Sequence, residues 1–189
     1  MRIAPRWLLM GMTAVTVGAA ACDDTALQPA PVFPPLEPDT GNLGLPILAG
    51  LQALTIVDDS VVKDSALMVW LARRRSEPTS AAVRVGRMEA GLDSLLTVGR
   101  ALAFDVSPTR RLVFVGERVM QYPTYTSWRG VLQGGLYGEA NLHNNGGRLS
   151  GDILVAGGPT RMYSRHAIQS FGPDFHLITY IDWRKFLPD

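Results

Sequence analysis

Residues 130–158 read GVLQGGLYGEANLHNNGGRLSGDILVAGG, with nine glycines in 29 positions. Nothing else in the chain restricts the fold as tightly. Short apolar runs are cut by the turn signals Gly134-Gly135, Asn144-Asn145-Gly146-Gly147 and Gly157-Gly158-Pro159. Glycine this dense disfavours helix, and Asn-Gly and Gly-Gly pairs supply the positive φ angles that tight hairpins need. Strands of about four to six residues separated by tight turns follow. Two arrangements satisfy this pattern. One is an antiparallel meander. The other is a short β-solenoid, in which each rung buries an apolar residue against the next.

The flanking segments extend the reading. Arg111 to Val119 (RLVFVGERV) is the clearest strand, rich in β-branched and aromatic residues. Phe175 to Trp183 (FHLITYIDW) is a last strand, with Phe175, Leu177, Thr179 and Ile181 on one face and His176, Ile178, Tyr180 and Asp182 on the other. Ile47 to Val57 reads as a strand or short helix that ends in a turn at Asp58-Asp59. Ala66 to Arg73 (ALMVWLAR) reads as a strand in a hairpin with Ala82-Val83-Arg84-Val85, although a helix capped by Ser60 also fits. Residues 88–104 predict a helix, because Leu92, Leu95, Leu96, Val98 and Leu102 recur at spacings of three and four. The expected fold is mainly β with one or two helices (α+β), as a single β-rich globular domain over residues 47–189.

What precedes that domain is a different kind of sequence. Arg2 and Arg6 flank the start of an uncharged, mostly apolar run from Trp7 to Val17, followed by Gly18-Ala19-Ala20-Ala21 and the chain's single cysteine, Cys22. The run is eleven residues, against the roughly 20 that a membrane-spanning helix needs, so residues 1–21 read as a secretion signal. Small residues directly before a lone cysteine resemble the lipobox of bacterial lipoproteins. The match is at Ala21 and Cys22; Ala19 stands where leucine is usual. That resemblance implies cleavage between Ala21 and Cys22, lipidation of Cys22 and residence in the cell envelope, anchored to a bacterial membrane. Ala19 and Ala21 also fit an ordinary A-x-A signal, which would leave Cys22 as an exposed thiol. In some Gram-negative lipoproteins an aspartate just after the cysteine keeps the protein at the inner membrane, so Asp23 and Asp24 are candidate sorting residues or simply two solvated acids.

Cleavage would remove two arginines and no acid, shifting the formal charge from +1 to −1. Neither value suits a strongly basic nucleic-acid binder. Pro29, Pro31, Pro34, Pro35, Pro38 and Pro46 then exclude helix and central strand from residues 23–46. With Cys22 this makes 22–46 a lipidated, proline-rich tether. It could span about 70 Å at the polyproline rise. Phe33-Pro34-Pro35 is the one candidate docking motif within it.

The C-terminal half looks like glycine-punctuated β domains of pilus-assembly (PilX-type) and bactofilin-like envelope proteins. The matching residues are Gly130-Val131-Leu132, Leu149-Ser150-Gly151-Asp152-Ile153-Leu154-Val155, Tyr163-Ser164-Arg165-His166-Ala167-Ile168 and Trp183, with Leu92-Asp93-Ser94-Leu95-Leu96 upstream. His166 stands where some of those proteins have cysteine, and a lipoprotein-like signal replaces the pilin helix. The resemblance implies an assembly or scaffold domain without catalytic residues.

The motifs of familiar chemistries are missing. G-x-S-x-G, H-E-x-x-H, a Walker loop and G-x-G-x-x-G do not occur. Ser60-Val61-Val62-Lys63 matches S-x-x-K without its companion elements. His143, His166 and His176 have spacings that match no short metal-ligand motif, and Asp174 and Asp182 could pair only if the fold joined them. No metal or cofactor is implied. Arg73-Arg74-Arg75 reads as a solvated charge run or a contact for anionic headgroups. Tyr122, Tyr125 and Trp128, around Pro123, either pack over a sheet edge or form an aromatic patch that stacks on sugars or peptides. These features favour a non-enzymatic, membrane-anchored binding or scaffold lipoprotein, with another envelope protein or polymer as partner. A hydrolase acting on envelope polymers and a small-ligand carrier with a β-barrel are the alternatives.

Overall fold

The structure, a computed structural model, describes residues 49–134, 137–157, 162–172 and 174–186. Residues 1–48 fall outside the described residues, and with them Ala21, Cys22, Asp23, Asp24, the proline-rich segment and Phe33-Pro34-Pro35.

Nine strands close into a barrel. Strand β1 (Leu51–Val57) leads through a short 3₁₀ turn (Asp59–Val61) into helix α1 (Ser65–Arg75) and then strand β2 (Ser80–Met88). A single helical turn, α2 (Leu92–Leu95), precedes β3 (Ala101–Ser107), β4 (Arg110–Gln121), β5 (Thr126–Leu132), β6 (Tyr137–Asn145), β7 (Arg148–Gly157), β8 (Met162–Phe171) and β9 (Phe175–Ile181). From β3 to β9 each strand pairs antiparallel with the next. Strand β9 then pairs with β2, β2 with β1, and β1 closes the ring by running parallel to β3.

The β-rich α+β expectation holds, but a closed barrel stands where a meander or short β-solenoid was expected. The glycine-punctuated stretch supplies β5, β6 and β7. Its alternation shows why the sheet has an inside: Gly138, Ala140, Leu142 and Asn144 are buried, whereas Tyr137, His143 and Asn145 are exposed. Closure leaves no strand edge to template foreign pairing. It also encloses Trp128, which is fully buried among Phe104, Phe114 and the lumen leucines. The indole lies 6.2 Å from Phe104 and donates through Nε1 to the Thr97 carbonyl at 3.3 Å. Gly130 makes room for it, since a Cβ there would overlap the indole ring.

Two local expectations fail. Ala66 to Arg73 is helical, and its cap is Asp64 rather than Ser60. The Asp64 carboxylate accepts from the Ala66 and Leu67 N–H groups at 2.7 and 3.1 Å, satisfying donors that an open helix start would leave unpaired. Leu67, Trp70 and Leu71 form the stripe that packs on Val83, Val85, Phe171, Phe175 and Leu177. Helix α1 therefore roofs the outside of the barrel over β2, β8 and β9. Residues 88–104 hold only the single turn α2, and β3 already begins at Ala101. Leu92 and Leu96 are apolar because they join the lumen core, not because they line a long helix. Gly99, at φ 78°, holds a left-handed conformation that ends any helical path before β3.

Candidate functional site

The lumen is filled at its centre. Trp128, Phe104, Phe114, Leu102 and Leu142 each have 0% exposure, so no space for water adjoins them. Sites accessible to a partner therefore lie at the ends of the barrel or on its outer wall.

At one end, where β3 passes into β4, the interior is polar. Ser107, Arg110, Ser164, His166 and Tyr180 are buried there, with Arg84 on the same inner face. Arg84 donates to the Val106 carbonyl at 3.5 Å, and His166 stacks on Tyr180 with centroids 4.9 Å apart. Arg84, Arg110, His166 and Tyr180 all have further partners, whereas the buried Ser107 and Ser164 hydroxyls find none among the described residues, so this end is a polar core only in part satisfied. A cavity of about 440 Å³ opens beside it, lined by Ile56, Asp105, Ser107, Pro108, Thr109, Arg110 and Arg111. Arg111 is held by Asp105 at 2.8 Å, and that hydrogen bond, ahead of their charge attraction, raises its pKa.

At the other end, α2 covers the barrel. A second cavity of about 440 Å³ there is lined by Arg87, Glu89, Asp93, Asp174 and His176 among others. His176 is buried, and its Nε2 accepts from the Leu149 N–H at 3.0 Å. Burial pushes its pKa down to about 4, which keeps the ring neutral and able to accept that bond.

The outer wall of β4–β7 is the third location. The N–H of Tyr122 bonds the carbonyl of Tyr125 at 2.9 Å, so only Pro123 and Thr124 make the β4–β5 turn. Residues facing each other across so tight a hairpin share a face. The two rings accordingly stack, with centroids 4.5 Å apart and planes 15° from parallel. His143, on β6, meets the Tyr125 ring edge-on at 5.5 Å and 82°. Strand register explains its arrival: Ser127 on β5 faces His143, which faces Ser150 on β7. Tyr125, His143, Asn145 and Ser150 line a shallow pocket of about 290 Å³. Tyr122 is 42% exposed at its side.

Tyr122 and Tyr125 stack on each other, while Trp128, expected beside them, points into the lumen. Strand alternation is the cause: Trp128 is three residues from Tyr125 and so points the opposite way. Asn145 and Ser150 carry no signal of their own in the sequence, and His143 enters there only through its histidine chemistry. Pairing of residues 126–131 with 139–144 brings His143 to Tyr125, and pairing of 137–145 with 148–156 adds Asn145 and Ser150.

The remaining candidates disperse. His143 is exposed on the wall, whereas His166 and His176 are buried toward opposite ends of the lumen. No group of three His, Cys, Asp or Glu suited to a metal occurs among the described residues. Asp174 and Asp182 sit beyond opposite ends of β9, and Arg184 holds Asp182 at 2.7 Å. Ser60 and Lys63 are exposed, with the Ser60 N–H bound to Asp58. In the arginine run, Arg74 pairs with Glu77, and Arg75 pairs with Asp59 and the Val83 carbonyl. Two of the three thus fasten the end of α1. Among the described residues no helix is long and apolar enough to cross a membrane. Compared with known proteins, the chain matches no family model, no curated protein and no solved structure.

Proposed function

We propose that the chain is a lipid-anchored protein of the bacterial envelope whose barrel binds another envelope component without transforming it. Cys22 carries the lipid, and residues 23–46 hold the barrel off the membrane. The aromatic shelf of Tyr122, Tyr125 and His143 is the contact. The observation that carries this reading is the stacked tyrosine pair beside a pocket, Tyr122 exposed and Tyr125 half-buried. Stacked aromatics give large contact area with few rotors to freeze, and buried side is usually their resting place. Here they stand outside a barrel whose core is already full. The filled lumen also favours wall contact over carriage inside the barrel.

Two comparisons test the reading. Intact mass of the membrane-extracted protein, beside Cys22→Ala, reports the anchor: the wild type carries acyl mass, and the variant is unprocessed or released. An unlipidated wild type overturns the anchor. A photo-crosslinking residue at position 122, used in intact cells, reports the contact. Crosslinks to envelope material at 122 but not at 131 are expected, and equal labelling at both overturns the shelf as the contact.

A further inference from the structure

We infer that the shelf takes an uncharged carbohydrate, one or two pyranose rings of a glycan chain; this rests on the proposed binding role and names its ligand class. Four observations converge. The tyrosines cover one face of each other, and the exposed remainder of the pair, chiefly on Tyr122, is aromatic surface whose natural counterpart is the C–H face of a pyranose. The pocket beside it, about 290 Å³, has room for a sugar ring and its substituents.

The lining chemistry suits hydroxyl groups. Tyr125, His143, Asn145 and Ser150 contribute a phenol, an imidazole, a carboxamide and a hydroxyl. Together they offer donors and acceptors, as a sugar hydroxyl requires. No Asp, Glu, Lys or Arg is among these lining residues. On the surrounding wall Arg129 pairs with Glu139 at 2.8 Å and Arg165 with Asp152 at 3.0 Å, while exposed Arg148 stands across from Asn145 at the pocket's edge. An anionic or cationic ligand would find no counter-charge in the lining, whereas a neutral polyol meets only neutral partners.

The shape supports a chain rather than a free monosaccharide. The pocket is a shallow hollow on an exposed strand face, and the stacked pair continues it toward the hairpin tip. A ring seated against Tyr125 therefore leaves both its neighbours in solvent. Such a site selects a face and a pattern of hydroxyls and tolerates chain continuation on either side.

Calorimetric titration of the full-length protein in detergent tests this, with tetrasaccharides of N-acetylglucosamine, of β-linked glucose and of α-linked glucose as probes. At least one tetrasaccharide is expected to bind in the micromolar to millimolar range. Tyr125→Ala should weaken it at least tenfold and Tyr122→Ala several-fold. Tyr125→Phe keeps the ring and should retain most of the affinity. Tyr137→Ala, which removes a lone tyrosine exposed on the same barrel, should leave it unchanged. Thermal melts of each variant show that the barrel is intact. Failure of all three sugars to bind at millimolar concentration overturns the inference, as does binding that survives Tyr125→Ala. If sugars fail while crosslinking at position 122 still yields a peptide adduct, the ligand class is wrong and the binding role stands. If both fail, the role falls with it.

Discussion

The barrel wears two different outer walls. Over β2, β8 and β9 the outward side chains are Val83, Val85, Phe171, Phe175 and Leu177, and helix α1 lies across them. Over β5–β7 they are mostly polar, Arg129, Glu139, Asn141, His143, Ser150 and Asp152 beside the exposed Val131 and Tyr137, and among the described residues no helix covers them. The difference shows how one closed sheet divides its work. An apolar wall must be buried, so it acquires a helix and becomes part of the core. A polar wall stays solvated, and there exposed Tyr122 and half-buried Tyr125 pack on each other and on His143 at the surface.

The comparison can be broken most forcefully at the roof. Leu71→Ala should lower unfolding free energy by about 2 to 5 kcal/mol, the usual cost of emptying a buried leucine site. Denaturant melts read this, and a change below about 1 kcal/mol would mean that α1 is a passenger on the wall. Acid gives the next effect. His176 has a folded pKa of about 4, below its unfolded value near 6.5. The unfolded chain therefore binds the extra proton first as pH falls. The stabilisation is whole above about pH 6.5, drains away between 6.5 and 4, and is constant below. The loss is at most about 3 kcal/mol. Melts of wild type and His176→Gln across this window should converge toward acid, and parallel curves would refute the assignment.

Smaller effects sharpen the contrast. Asp64→Ala removes the cap of the roof helix and should cost about 1 kcal/mol. On the open wall, Asp152→Asn breaks a half-exposed pair with Arg165 and should change stability by less than about 0.5 kcal/mol. An equal cost for the two variants would erase the distinction between the walls.

The sequence made the strands legible where alternation and glycine punctuation were strong. Residues 111–119 and 175–181 are strands at nearly the expected limits. It failed where apolar residues served a purpose that periodicity does not encode. The leucines at 92 and 96 plug a barrel end from a single turn, and so imitate an amphipathic helix. ALMVWLAR exposes Met68 and Val69, which blurred the helical stripe, although the capping Asp64 was in plain view. Closure was hidden altogether, because it depends on the parallel pairing of β1 with β3, two segments with a helix, a strand and a turn between them. Of the shelf, Tyr122 and Tyr125 could be read locally. His143, Asn145 and Ser150 come from other strands and needed the register.

The same parallel pairing has a mechanical side. Strand β1 is the first described strand, and it is bonded along both edges, to β2 and to β3. A pull on the chain ahead of Leu51, along the strand axis, would load both ladders in shear, so that their hydrogen bonds share the tension. The antiparallel β8–β9 hairpin, pulled apart at its open end, would peel one bond at a time. Traction applied to the chain ahead of β1 would thus be met by the strand that locks the ring shut.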